Sequence, residues 1–389
     1  MSMIYLDNAA TSFPKPEDTY VFMDRFYRTH GVNPGRSGYD LCMETGQLVD
    51  DTRKQLTRFF NGTDPDRLVF AYNSTDALNL ALFGMLSAGD HAITTTVEHN
   101  AVLRPLHHLA QRGGVEVDHV PFDAKGFVDP GDIAARLRPT TRVVAINHGS
   151  NVIGTVQPIA EIGRLCRERG VRLVVDASQT AGKIPIDVQA MNVDVLAFTG
   201  HKSLMGPTGI GGMYVQEGVE IRHTRAGGTG VRSAHRFHLD EYPWRLEYGT
   251  PNVMGIAGLH AGVQWIEQKG LAAIEAHEMG LMRRLVDGLR GIPGVTLYCQ
   301  DGLENHIAVM VFNVNGFEAS NTGTILDVDY NIACRTGLHC APRVHEQLGL
   351  DSIKGAVRFG IGPFNTDEDI TAAIGAVGEI AAARAKKTR

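Results

Sequence analysis

The segment VRLVVDASQTAGKIPIDVQAMNVDVLAFTGHK, residues 171–202, contains two short β-branched runs, and each run ends in polar residues. The runs VRLVVDAS (171–178) and VDVLAFTG (193–200) have the length and composition of buried strands. Similar runs occur earlier, and helical patterns separate most of them. The strand-like runs are at 67–72, 91–97, 115–122 and 141–148, and the helical patterns at 75–86, 100–113 and 159–170. This alternation predicts an α/β fold with a mostly parallel sheet wrapped by helices.

The pattern changes after about residue 254. A long helical stretch (254–292) leads to the strand-like runs HIAVMVFNV (306–314) and AVRFGIG (356–362), and then to an alanine-rich helix. A chain of 389 residues also exceeds the size at which one core keeps growing. We therefore predict a large domain over 15–255 and a smaller α+β domain formed by 1–14 and 256–389.

Composition excludes several classes of function. The net charge of −6 argues against nucleic-acid binding, which usually needs a basic surface. No apolar stretch approaches the ~18 residues of a membrane span. The N-terminus, MSMIYLDNAATS, lacks the basic and apolar regions of a signal peptide, and the five cysteines are odd in number and widely spaced. These features predict a cytoplasmic protein with reduced thiols.

Nucleotide and metal motifs are absent from the sequence. No G-x-x-x-x-G-K-[ST] or G-x-G-x-x-G follows a strand. The segments HEMGL (277–281) and HEQLG (345–349) begin like a zinc-protease helix but lack its second histidine, and there is no C-x-x-C pair. We therefore expect no bound metal.

Polar residues follow strand after strand. Ligands of parallel α/β sheets bind at the carboxyl ends of the strands, so these side chains are expected to share one site. They are Ser74, Thr75, His99, Asn151, Asp176, Gln179, Thr199, His201 and Lys202. Ser74 and Thr75 have two readings, because they can cap a helix or hold a phosphate at its N-terminus. A buried charge without a partner costs several kcal/mol, so the set as a whole predicts a charged ligand.

Pyridoxal phosphate would satisfy this set of side chains. Lys202 suits the Schiff base, since a desolvated amine attacks carbonyls. Asp176 would keep the ring nitrogen protonated, and such a pair gains roughly 4 kcal/mol at about 4 Å and an effective dielectric near 20. His99 would stack on the ring and exchange protons, and Gln179 would bond the phenolic oxygen. The expected phosphate donors are Ser74, Thr75, Thr199 and His201.

These motifs resemble the class V aminotransferase family of fold type I pyridoxal phosphate enzymes, and within it the cysteine desulfurases and selenocysteine lyases. The similar segments run from end to end of the chain. They are YLDNAAT (5–11), NSTDALN (73–79), EHNAVLRP (98–105), SNVIGTVQP (150–158), VDASQTAG (175–182), TGHKSLMGPTGIG (199–211), YGTPNV (248–253) and RTGLHCAP (335–342). The resemblance implies a homodimer with its site at the subunit interface, where Thr250 would reach the phosphate bound by the partner chain.

Cys340, in the loop RTGLHCAP, decides which reaction the resemblance implies. A lone cysteine is usually an inert, partly buried thiol. Its match to the cysteine loop of desulfurases implies instead that its thiolate attacks the sulfur of L-cysteine, leaving a persulfide and L-alanine. Arg335 and His339 are candidates to stabilise the thiolate. Arg358 would clamp the substrate carboxylate as a planar fork, with help from Arg335 and Asn151.

The implied function is a cysteine desulfurase that passes sulfur to an acceptor protein, for assembly of an iron–sulfur cluster or another sulfur-containing cofactor. The short cysteine loop is similar to that of group II desulfurases, although Leu338 stands where many of them carry a histidine. Three alternatives remain: a selenocysteine lyase, an aminotransferase or epimerase of the same family, and a non-catalytic scaffold. Because Lys202, Asp176 and His99 are all present, the sequence argues against the scaffold.

Overall fold

The computed structural model describes residues 3–35, 37–350 and 354–387. The strands are, in chain order, β1 (Ile4–Tyr5), β2 (Leu68–Ala71), β3 (His91–Thr95), β4 (Glu116–Val120), β5 (Thr141–Asn147), β6 (Arg172–Asp176), β7 (Val195–Thr199), β8 (Gly211–Val215), β9 (Val295–Leu297), β10 (Val309–Val314), β11 (Ile332–Ala333), β12 (Arg335–Gly337) and β13 (Ala356–Gly360). The helices are α1 (Glu17–His30), α2 (Asp40–Phe59), α3 (Ser74–Met85), α4 (Asn100–Gly113), α5 (Pro130–Ala134), α6 (Ile159–Glu168), α7 (Val253–Lys269), α8 (Leu271–Arg290), α9 (Ala319–Tyr330), α10 (Pro342–Gln347) and α11 (Asp367–Lys387).

A seven-stranded sheet with the order β2-β8-β7-β6-β5-β3-β4 forms the larger core. Alternate residues of its strands join two different hydrophobic cores. In β5, Val143 and Ala145 belong to one core, whereas Val144 and Ile146 belong to the other. Because side chains alternate between the faces of a strand, each core lies on one face of the sheet. The predicted α/β fold with a sheet wrapped by helices is confirmed.

The strand β8 departs from the sequence prediction. It runs antiparallel to β7 and to β2, and it uses part of the glycine-rich segment that follows Lys202. A Cβ atom on Gly212 would lie 2.3 Å from the carbonyl oxygen of Val69, so glycine is required where these backbones meet. The glycines that look like a loop in the sequence therefore serve close strand packing.

A second sheet, with the order β12-β13-β10-β9, is antiparallel and packs against α8, α9 and α11. The helical stretch that leads to it is two helices rather than one, because Gly270 adopts a left-handed φ of 82° between α7 and α8. The N-terminal segment joins this region, since β1 pairs with β11 and Asp7 bridges to Gly360. The limits 15–255 and 1–14 with 256–389 remain a prediction.

A buried ion pair connects the two sheets. Lys183, which follows β6, pairs with Glu278 of α8 and donates a hydrogen bond of 3.0 Å to the carbonyl oxygen of Ile361, just after β13. Both charged side chains are almost fully buried. Within the described residues, no helix has the length and apolar character needed to cross a membrane.

Candidate active site

A cavity of about 280 Å³ lies at the carboxyl ends of the parallel strands. It collects most of the side chains that the sequence predicts for the site. They are Ser74, Thr75, His99, Asn151, Asp176, Gln179, Thr199, His201, Lys202, Arg335 and Arg358. Thr250 is exposed and lines a separate cavity of about 380 Å³.

Lys202 and Asp176 both line this cavity, and their charges interact. Burial lowers the pKa of Lys202 to about 8, and the charge of Asp176 opposes that shift. Asp176 is buried and accepts hydrogen bonds from the Ser178 backbone N–H at 2.9 Å and from the Ser74 hydroxyl at 3.2 Å. A fraction of the Lys202 amine is therefore neutral near pH 7, which a nucleophilic lysine requires.

His99 directly precedes α4 and caps its N-terminus. Its Nδ1 accepts a hydrogen bond of 3.0 Å from the backbone N–H of Ala101, so a neutral His99 carries its proton on Nε2. Burial, with the charge of Lys202 adding to it, lowers the pKa of His99 to about 4. The ring is therefore neutral, and its hydrogen bond to the helix fixes its orientation. A fixed, flat ring of this kind can stack on a flat ligand.

Two unpaired polar atoms mark one end of the cavity. The Thr199 hydroxyl and Nδ1 of His201 are buried and have no hydrogen-bond partner among the described residues. They lie beside the N-terminus of α3, whose cap is Asn73 rather than Ser74 or Thr75. Ser74 is bonded to Asp176, and its neighbour Thr75 lines the cavity. An unpaired hydroxyl and an unpaired ring nitrogen beside a helix N-terminus fit a phosphate group.

Gln179 contributes a fixed amide to the same cavity. Its Nε2 donates a hydrogen bond of 2.9 Å to the carbonyl oxygen of Ala9, in the N-terminal segment. One further proton of that amide remains for a ligand oxygen. With Lys202 as the amine, Asp176 as the acid and His99 as the flat neighbour, the residues fit pyridoxal phosphate.

Arg358 closes the other end of the cavity. Its Nη2 pairs with Asp7 at 2.7 Å and its Nη1 donates to the carbonyl oxygen of Asn151 at 3.0 Å. Only 1% of Arg358 is exposed, and its Nε has no hydrogen-bond partner among the described residues. A buried guanidinium with an unused donor fits an anionic ligand such as a carboxylate.

Cys340 lies beside this end of the cavity. Nη2 of Arg335, which lines the cavity, is 3.2 Å from its Sγ. The contact supports Arg335 as the group that stabilises a thiolate. Arg335 is also predicted to help bind the substrate carboxylate, so it would serve both the thiol and the substrate.

His339 is the second residue predicted to stabilise the thiolate. Its ring is buried against His345, with Nδ1 3.2 Å from Nε2 of His345. Burial, reinforced by the charge of Arg358, holds its pKa well below 6.5. A neutral ring has no positive charge to offer the thiolate, which argues against the predicted contribution of His339.

Asn151 also differs in part from expectation. Its Nδ2 donates a hydrogen bond of 2.7 Å to the carbonyl oxygen of His339, so its amide supports the Cys340 loop. Its Oδ1 is buried without a partner among the described residues and remains for a ligand donor. Asn151 thus connects the cysteine loop with the cavity.

Three residues near the site were missed from the sequence. Asp7 orients Arg358, and Asn147 lines the cavity. Glu98 lies buried behind His99 and accepts hydrogen bonds from the Thr95 hydroxyl at 2.6 Å and the Asn147 backbone at 3.1 Å. Burial raises the pKa of Glu98 to about 8, so it is mostly protonated at neutral pH. Asp7 and Glu98 both lie within quoted motifs, but nothing local distinguishes them from surface acids.

The chain is similar to known proteins over most of its length. The family model for class-V aminotransferases matches residues 4–372. A probable cysteine desulfurase of Methanothermobacter thermautotrophicus is 33% identical, with 94% of this chain and 92% of that protein covered. A cysteine desulfurase of Salmonella agona is 34% identical, with coverage of 95% and 91%. The apo structure of a cysteine desulfurase from Thermococcus onnurineus NA1 is 33% identical and superposes with a TM-score of 0.92, covering 98% of this chain and 95% of that one. The chain is therefore a member of the class V aminotransferase family.

Proposed function

We propose that this protein is a pyridoxal phosphate-dependent cysteine desulfurase, which converts L-cysteine to L-alanine. The cofactor, when bound, supplies the electron sink that lets bonds at the substrate Cα break. Lys202 is its anchor, Asp176 its acid partner and His99 its stacking neighbour. The unpaired atoms of Thr199 and His201 support a phosphate at the end of the cavity next to α3.

Arg358 is the proposed clamp for the substrate carboxylate. Asp7 and the carbonyl oxygen of Asn151 fix its guanidinium, while its Nε stays available. A carboxylate bound there has its Cα within the cavity that Lys202 also lines. Lys202, neutral in part because its pKa is about 8, accepts the proton from Cα, and His99 assists its transfer.

Cys340 is the proposed sulfur acceptor, and its contact with Arg335 is the observation that carries the proposal. Sγ lies 3.2 Å from a guanidinium nitrogen beside the cavity of Lys202. The Cys340 thiolate attacks the substrate sulfur, an S–S bond forms, and the C–S bond breaks with its electron pair staying on carbon. Protonation of that carbon yields alanine, and the persulfide on Cys340 passes its outer sulfur to an acceptor protein.

The direct test supplies the cofactor-loaded protein with L-cysteine, measures alanine and maps any persulfide by alkylation and peptide mass analysis. We expect alanine together with a persulfide on Cys340. Cys340→Ala should abolish the persulfide, and turnover should fall about a hundredfold or more, as for loss of a nucleophile. Cys299→Ala is the matched control, because Cys299 is also partly exposed but lies away from the cavity.

Two outcomes would contradict the proposal. Alanine without an adduct on Cys340 would leave the thiol without a role. Full transamination activity in Cys340→Ala would favour an aminotransferase of the same family, since that reaction needs Lys202 but no thiol.

The proposed functional unit is a homodimer. Thr250 is exposed and does not line the cavity that holds Lys202. It lines instead a neighbouring cavity with Tyr72, which is 60% exposed. A second copy covering this surface would bury the exposed aromatic side chain and bring its own Thr250 toward the phosphate end, near α3.

A further inference from the structure

The loop that carries Cys340 has an unusual backbone. Gly337, His339 and Cys340 have φ angles of 99°, 50° and 57°. The left-handed region is easy for glycine but disfavoured for the two other residues. Two consecutive non-glycine residues in this region persist only where surrounding contacts hold them there.

Two hydrogen bonds hold the loop backbone from outside. The backbone N–H of Asn100, at the start of α4, donates to the carbonyl oxygen of Cys340 at 2.7 Å. Nδ2 of Asn151 donates to the carbonyl oxygen of His339, also at 2.7 Å. Both hydrogen bonds hold backbone carbonyl groups, and neither of them fixes the side chain of His339.

Two further contacts fix the ring of His339. Its Nε2 is 3.3 Å from the carbonyl oxygen of Arg335, and its Nδ1 is 3.2 Å from Nε2 of His345. A carbonyl oxygen only accepts, so Nε2 of His339 carries the proton and Nδ1 must accept one from His345. His345 is fully buried and lies in α10, directly after the loop.

We propose that His345 is a positioning residue that, through His339, holds the Cys340 loop in the conformation that places Sγ against Arg335. The role of the loop in sulfur transfer rests on the proposed desulfurase function. The geometry of the loop does not, so the two can be tested separately.

The test compares His345→Leu with His345→Gln in the cofactor-loaded protein. Leucine removes the donor to His339, whereas the glutamine amide nitrogen can donate from nearly the same place as Nε2. His91→Leu is the matched control, because His91 is equally buried and bonded to Thr141, yet lies at the opposite end of its strand from the site.

Hydrogen exchange reports the loop itself. The amides of Asn100 and Ala341 are bonded to the carbonyl oxygens of Cys340 and Leu338. In His345→Leu we expect both amides to exchange about tenfold faster or more, since a buried acceptor loses its partner. His345→Gln should return toward the wild-type rate, and His91→Leu should not change either amide.

Turnover reports the consequence for chemistry. The kcat for alanine formation should fall about tenfold to a hundredfold in His345→Leu, with KM for cysteine nearly unchanged, because the Arg358 clamp stays in place. Glutamine should restore most of kcat. If His345→Leu only destabilised the protein, the fraction of active enzyme would fall. Restoring a hydrogen-bond donor with glutamine would then not restore kcat selectively.

Wild-type exchange and kcat in His345→Leu would overturn the proposal, and so would a glutamine variant as impaired as the leucine variant. If the leucine variant does not fold, His345→Asn replaces it, because its amide is one methylene too short to reach His339. Absence of a persulfide in the wild type would refute the desulfurase function, while the exchange rates would still decide the role of His345.

Discussion

Lys202 is a lysine whose surroundings change its chemistry. An exposed lysine is almost fully protonated at neutral pH and is a poor nucleophile. Here burial lowers the pKa to about 8, and the positive charges of Arg358 and Arg335 act in the same direction. Asp176 opposes the shift but does not cancel it. The sequence places Lys202 at a strand end, but only the packing sets its protonation.

The pH dependence of cofactor attachment tests this state. The neutral amine is the reactive form, so the rate at which apo protein takes up pyridoxal phosphate should rise with pH and level off above about 8. An ordinary lysine would continue to gain reactivity to about pH 10. Absorbance at a series of pH values measures the rate.

Asp176→Asn sharpens the test, because Asp176 raises the pKa of Lys202. Removing its charge should move the rise of the rate to lower pH. A rate that still increases steeply at about pH 10 in the wild type would show that Lys202 behaves as an ordinary lysine.

Helices of this chain contain glycines with two different roles. Gly163 in α6 is buried, and a Cβ atom there would lie 2.0 Å from the carbonyl oxygen of Met191. Gly280 in α8 is exposed, and a Cβ atom there would meet no atom of the described residues within 4 Å. The first allows close packing of the helix on its neighbour, whereas the second has no packing reason to be glycine.

Alanine substitution should therefore have opposite effects at these two positions. Gly163→Ala should lower the free energy of unfolding by about 1–3 kcal/mol, because the methyl group forces a backbone shift. Gly280→Ala should raise it by about 0.5–1 kcal/mol, because alanine loses less conformational entropy in a helix. Urea denaturation of both variants measures the changes, and equal shifts would contradict the assigned packing.

In the whole molecule, the N-terminal segment connects parts of the site that belong to different sheets. Asp7 holds Arg358 of β13, the carbonyl oxygen of Ala9 holds Gln179, and the Thr11 hydroxyl donates at 2.9 Å to the carbonyl oxygen of His201. The proposed carboxylate clamp and the proposed cofactor anchor are thus tied to one short stretch of chain. The larger cavity beside Thr250 lies apart from these contacts.

Mixed dimers test the proposed sharing of Thr250. A dimer of one Lys202→Ala chain and one Thr250→Val chain has one site with both wild-type residues, if Thr250 serves the partner. That site should bind the cofactor with wild-type affinity, whereas the Thr250→Val homodimer should bind about tenfold more weakly for loss of a hydrogen bond to a charged group. Weak binding in the mixed dimer, or a monomer in sedimentation, would contradict the arrangement.

Local patterns were enough to predict the α/β fold and the cavity residues at the strand ends. Strand period and the polar residues that end each strand are properties of short segments, and parallel pairing brings such ends together. Lys202, Asp176 and His99 accordingly line one cavity in the structure. The antiparallel strand β8 was missed because glycines that permit close packing look like a loop.

Local sequence patterns could not predict the contacts between segments that are distant along the chain. Asp7 meets Arg358 across 351 residues, and Asn151 meets His339 across 188. Which way a buried ring faces, as the ring of His339 faces His345, depends on the hydrogen-bond partners that packing leaves within reach. The chemistry of the site could therefore be read from residue types along the chain, whereas the partners that orient Arg358 and Cys340 became visible only once the chain was folded.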